Sequence, residues 1–187
     1  MRKTDRVKRA VEALEKLYPE AICSLTYSDP FQLLVATRLS AQCTDKRVNM
    51  VTPDLIKTCG LYKTKAKDLI GIGQMITEEY EGKVPDTIEE LTKLPGVGRK
   101  TANLVCGDIF GKPAVVTDTH FIRISNRLGF VSSTNPLTVE KEMRKLLPPE
   151  KSNDFCHRTV LFGRDICVAR KPKCEICSLN EFCPKKF

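Results

Sequence analysis

The chain has 187 residues, with 31 Lys and Arg against 23 Asp and Glu and a formal net charge of +8. That length suits one domain or two small ones and can bury a core, while a hydrophobic share of 41% argues against disorder. The apolar runs, such as Leu33-Leu34-Val35-Ala36, are far too short for a membrane span, and the start Met1-Arg2-Lys3-Thr4-Asp5-Arg6 is expected to be no signal peptide. The charge suits an anionic partner, most simply a nucleic acid, or ordinary surface charge.

The periodicity is helical nearly throughout, and the expected fold class is all-α. Val7, Val11, Leu14 and Leu17 repeat at helical spacing. Ser28-Asp29-Pro30 reads as a cap followed by proline at the first helical position, opening a helix over Phe31–Leu39. Thr44 or Asp45 starts another short one, with Val48 and Val51 inward. Lys65–Tyr80 carries Ala66, Leu69, Ile72, Ile76 and Tyr80 on one side. Asp86-Thr87-Ile88-Glu89-Glu90 has a glutamate at a capping-box position. Further helices are expected over Arg99–Phe110, Phe121–Leu128 (capped by Asp118 or Thr119), Pro136–Leu147 and Asn153–Cys167. Ala114-Val115-Val116 is too short for a strand.

Leu91-Thr92-Lys93-Leu94-Pro95-Gly96-Val97-Gly98-Arg99-Lys100-Thr101-Ala102 ends one helix, turns and starts another. Gly96 and Gly98 permit positive φ and close backbone approach. The amides of the new helix point outward, which makes an anion site. The pattern is a helix–hairpin–helix, a grip for a DNA backbone in which Gly96, Gly98 and Arg99 meet phosphate. Lys100 stands in the first helical turn, where the helix dipole disfavours a cation, so its amine is expected to lose a proton more readily than a surface lysine. It is either a nucleophile able to form a Schiff base with a sugar carbon or another phosphate contact like Lys93. Asp118, in Val116-Thr117-Asp118-Thr119-His120, is a helix cap. A carboxylate held that way could also stabilise a cationic sugar.

Four of the nine cysteines crowd the C-terminal part: Cys167, Cys174, Cys177 and Cys183, spaced C-x6-C-x2-C-x5-C. An odd cysteine total argues against a disulfide framework. Four thiolates this close suit tetrahedral zinc or a [4Fe-4S] cluster, and a single short C-x2-C leans toward the cluster. The remaining five cysteines read as plain thiols. Between Cys167 and Cys174, Arg170, Lys171 and Lys173 form a pinned basic loop suited to phosphate.

Taken together, Leu94–Ala102, Val116–His120 and the four-cysteine run resemble the bacterial endonuclease III family, over about Pro30 to Cys183. The resemblance implies two helical domains with DNA in a cleft between them. One would hold the iron–sulfur cluster and comprise residues 1–20 and 114–187; the other would be a helical barrel of residues 21–113, with the hairpin at 91–104. It implies a bifunctional DNA glycosylase and AP lyase of base excision repair. An oxidised pyrimidine is flipped out of the duplex, Lys100 attacks the sugar C1′ with help from Asp118, and β-elimination nicks the strand 3′ to the lesion. Gln42, in Leu39-Ser40-Ala41-Gln42-Cys43, would fill the gap left by the flipped base. Leu61 would wedge the opposite strand, and His120 would contact DNA. The four cysteines would hold a [4Fe-4S] cluster that the sugar chemistry does not need. The implied partner is damaged or abasic double-stranded DNA, bound by a monomer with no membrane association, in the bacterial cytoplasm on the nucleoid.

The chain departs from the family between Val51 and Cys59, where roughly 20 residues, about two short helices, have no counterpart. A deletion there would uncover the barrel wall, so the expectation is that the residues exist and stand outside the sequence as read. That bears on the placement of Leu61. Two other functions fit parts of the pattern. An adenine-mismatch glycosylase shares the cluster but lacks the lysine, and a non-catalytic helix–hairpin–helix module would carry structural zinc.

Overall fold

Residues 1–40 and 62–185 are described from the computed structural model. Gln42, Leu61, the expected helix at Thr44 or Asp45 and the junction at Pro53–Ile56 lie outside the described residues. Among the described residues there are eight α-helices and no strand. None of these helices is long and apolar enough to cross a membrane. The chain divides into two compact units, Cys23–Lys112 and the pair Met1–Ile22 with Pro113–Phe187.

The contiguous unit contains α2 (Pro30–Ser40), α3 (Tyr62–Glu79), α4 (Ile88–Leu91) and α5 (Arg99–Asp108). Asp29 caps α2, its Oδ1 accepting from the Gln32 amide at 2.9 Å. Thr87 caps α4 by accepting from the Glu90 amide at 3.2 Å. The Glu90 carboxylate, expected to complete a capping box, instead accepts from Tyr80 Oη and Lys93 Nζ at 2.7 Å each. Leu33, Leu34, Ala36 and Leu39 of α2 meet Ile72 and Ile76 of α3 and Leu91, Leu94, Val97, Ala102 and Val105 around the hairpin in one apolar core. Lys65 is 1% exposed and donates to the Leu39 carbonyl at 3.0 Å. That burial satisfies a carbonyl at the end of α2, which has no acceptor role within its own helix.

The discontinuous unit contains α1 (Lys3–Leu17), α6 (Thr119–Arg127), α7 (Pro136–Leu146) and α8 (Ser152–Asp165), with short 3-10 turns at Pro149–Lys151 and Cys174–Ile176. Helix α8 packs against both α1 and α6. Val7, Ala10, Val11 and Leu14 form the buried face of α1; Leu17, expected on that face, is exposed because it closes the last turn. Phe121 and Phe155 are fully buried and meet edge to face at 6.1 Å, a contact worth about 1 kcal/mol beyond the area it buries. Gly163 lets α6 approach α8. A methyl there would stand 2.7 Å from His120 Nδ1 and 2.9 Å from Ile124 Cδ1.

Candidate functional site

The hairpin between α4 and α5 is built from buried Leu91, Leu94, Val97 and Ala102, which leave Gly96, Gly98, Arg99 and Lys100 exposed. Gly96 adopts φ +68, a conformation glycine tolerates and other residues rarely take. Gly98 does not, although both glycines were expected to permit it. Gly98 is the extended N-cap of α5 at φ −88, and a methyl added to it would meet nothing within 4 Å. Its glycine is therefore not required by the fold. What it provides is a helix start with no side chain in front of the first-turn amides, and no side-chain cap occupies them. Arg99 and Lys100 occupy the first two positions of α5.

Asp118 is the N-cap of α6, its Oδ1 accepting from the Phe121 amide at 2.7 Å. That bond holds the carboxylate while Oδ2 has no hydrogen-bond partner among the described residues. The segment before it is fastened by burial of Val115, Val116 and Thr117 and by a 3.3 Å bond from the Val116 amide to Cys156 Sγ. His120 stands within the first turn of α6, with Arg123 Nη2 3.2 Å from its Nδ1. Burial holds the His120 ring below its ordinary range, with the Arg123 and Arg164 guanidinium groups acting in the same direction and Asp118 opposing them.

In the same unit, Cys167, Cys174, Cys177 and Cys183 line one cavity with Arg127, Leu128, Phe162, Ile166 and Leu179. Burial pushes the Cys177 and Cys183 thiols up, and the neighbouring cysteines push in the same direction. Four cysteine sulfurs crowded around one cavity are a donor set suited to iron, which takes them as thiolates and offsets the repulsion of their charges. The first ligand loop is held by two arginines of α6 that sequence reasoning passed over. Arg123 Nη2 donates to the Gly163 and Cys167 carbonyls, at 3.0 Å each. Arg127 donates to the Val168 and Ala169 carbonyls at 2.8 Å, and its Nη1 lies 3.4 Å from both the Cys167 carbonyl and Cys167 Sγ. Their spacing of four places both on one helical face, but nothing local in the sequence pairs that face with residues some forty positions away. Arg170, Lys171 and Lys173 are exposed between the ligands, and Lys171 turns the loop at φ +53.

These features define an iron–sulfur helix–hairpin–helix protein. Comparison with known proteins agrees. Residues 79–107 match the helix-hairpin-helix motif, and residues 167–183 match the iron-sulfur binding domain of endonuclease III. An endonuclease III from Synechocystis is 44% identical over 97% of this chain and 93% of its own. That from Escherichia coli (strain K12) is 39% identical over 90% of each. Among solved structures, a trapped endonuclease III–DNA covalent intermediate in an estranged-adenine complex gives a TM-score of 0.91 at 38% identity, covering 99% of this chain and 97% of that one. A thermostable thymine-DNA glycosylase gives 0.82 at 25% identity, covering 97% of this chain and 96% of the other. The chain belongs to the endonuclease III family. Its cofactor is a [4Fe-4S] cluster, which removes the zinc alternative. The Synechocystis alignment runs over 204 positions, more than the 187 residues present, so that relative carries internal residues with no counterpart here.

Proposed function

We propose that this chain excises oxidised pyrimidines from duplex DNA with Lys100 as nucleophile and Asp118 as its carboxylate partner. It is a DNA glycosylase and AP lyase of base excision repair. The observation that carries the assignment of residues is the hairpin itself. A bare helix start at Gly98, suited to a backbone phosphate, stands two residues before an exposed lysine.

The chemistry follows from these groups. The hairpin amides and Arg99 hold a phosphate of the damaged strand, and the target nucleotide leaves the stack. Lys100 Nζ forms a bond to C1′ as the bond from C1′ to the base breaks, and the base departs with a proton. The free Oδ2 of Asp118 faces the cationic sugar that develops in this step and takes part in moving its protons. Ring opening gives a Schiff base between Lys100 and C1′. Removal of a C2′ proton then breaks the C3′–oxygen bond, so the strand is nicked 3′ to the lesion, and water releases the lysine. Cys167, Cys174, Cys177 and Cys183 would hold the cluster, which when bound supplies a rigid core for the loop that presents Arg170, Lys171 and Lys173 to phosphate. Gln42 would occupy the space of the flipped base, Leu61 would wedge the opposite strand, and His120 would support the DNA backbone near Asp118. A duplex DNA substrate would keep the protein in the cytoplasm at the nucleoid.

A panel of duplexes, each with one defined lesion, tests this reading. Oxidised pyrimidines and abasic sites are expected to be nicked on the 3′ side. Release of adenine opposite an oxidised guanine, with oxidised pyrimidines left intact, would replace it with the adenine-mismatch activity.

A further inference from the structure

The turn of the hairpin rests on an ion pair that the reaction does not use. Arg38, near the end of α2, donates through Nε at 2.8 Å and through Nη2 to Asp68 Oδ2 on α3. The two side chains are only 19% and 17% exposed. A methyl added to Gly96 would stand 2.5 Å from Asp68 Oδ2 and 2.6 Å from Arg38 Nε. With a Cα–Cβ bond of about 1.5 Å, the Asp68 carboxylate lies within about 4 Å of the Gly96 Cα. A full negative charge therefore sits directly beneath the turn that would meet a DNA phosphate.

A carboxylate is a poor choice for that place unless its charge is cancelled. A phosphate on the first-turn amides would lie several ångströms further out, inside the Debye length of about 8 Å at physiological salt, so solvent ions screen the repulsion weakly. Arg38 is the group that cancels it, through two bonds to one carboxylate oxygen. We propose that Arg38 and Asp68 form a charge-compensated seat for the hairpin, and that Arg38 is a positioning residue that makes the grip acceptable to phosphate. The proposal rests on the reading of the hairpin as a phosphate grip and adds a determinant of affinity outside it.

A seat that acts through charge and a clamp that acts only through shape make opposite demands. The full, cluster-loaded chain is titrated against a duplex carrying a non-cleavable abasic analogue, with anisotropy as the readout. Arg38→Gln leaves Asp68 uncompensated and is expected to weaken binding about tenfold, as for a unit charge set several ångströms from a phosphate at a half-buried site. Asp68→Asn keeps the shape and can still accept from Arg38, yet leaves one net positive charge under the turn, so binding tightens. The double variant returns to within about twofold of the parent, because the two effects share one pair. If Arg38→Gln does not fold, the sign of the Asp68→Asn change decides alone. Unchanged or weaker binding by Asp68→Asn overturns the proposal. Gly98→Ala separates this failure from failure of the underlying reading: if it binds as tightly as the parent, the phosphate grip itself is wrong and the proposal falls with it.

Discussion

Replacing Arg127 by Met keeps the aliphatic stem and deletes the fork that holds the first ligand loop. The fork makes two bonds of 2.8 Å, to the Val168 and Ala169 carbonyls, and two longer ones of 3.4 Å to the carbonyl and sulfur of Cys167. A hydrogen bond from a charged donor contributes about 1.5–3 kcal/mol net. Water can replace the exposed bond to Ala169, so the loss comes to about 2–4 kcal/mol. Because 1.4 kcal/mol is tenfold, that raises the population of the opened loop by about 30- to 700-fold. The apparent melting temperature falls by about 4–16 °C for a chain of this size. The assay follows the visible absorbance of the cluster at about 400 nm during exposure to oxygen and a chelator. Faster bleaching and a lower melting temperature are expected, and Arg127→Lys falls between, since ammonium carries the charge without the fork. Bleaching within about twofold of the parent would show that α6 does not hold the loop in the way described.

The two hairpin glycines separate fold from function. Gly96→Ala meets Asp68 and Arg38 at a positive φ and is expected to cost more than about 1 kcal/mol in thermal unfolding, whereas Gly98→Ala, with open space around the new methyl, leaves the melting temperature in place and weakens duplex binding. Asp118→Asn retains an N-cap acceptor and so retains stability while strand cleavage is lost; Asp118→Ala loses cleavage and also about 1 kcal/mol of stability, measured by thermal melting. Burial holds the folded pKa of His120 below its ordinary 6.5. Below 6.5 the unfolded chain then binds more protons than the folded one, so the contribution of His120 is complete above 6.5 and declines as pH falls through that value. Melting temperatures measured from about pH 7.5 to about pH 5.5 should fall less steeply for His120→Gln than for the parent.

Helix starts were legible in the sequence because their signals are local. Asp29 before Pro30, Thr87 before Ile88 and Asp118 before Thr119 each bond an amide three residues on, which short-range reading can find. Exceptions arose where a distant partner took over. Glu90 is drawn from its capping box by Tyr80 and Lys93, and Lys65 is buried against the end of another helix. The positive φ of Gly96 could be read from the Pro-Gly-Val-Gly turn, but the crowding that also excludes a side chain there, from an ion pair between two other helices, could not. The basic loop is similar. Its cations and cysteines stand next to one another in the sequence, yet Arg123 and Arg127, which hold its backbone, come from a helix some forty residues earlier. The +8 charge thus includes cations turned inward to carbonyls and carboxylates, as Arg38, Arg123 and Arg127 are, and is not spread evenly as surface charge.

The central claim is that Lys100 carries the covalent chemistry. Sodium borohydride added during reaction with an oxidised-pyrimidine duplex reduces a Schiff base to a stable amine. The protein should then migrate as a covalent DNA adduct, peptide mapping should place the sugar on Lys100, and Lys100→Ala should give no adduct while still binding the duplex. No adduct from the parent chain, or an adduct that persists undiminished in Lys100→Ala, would contradict the account.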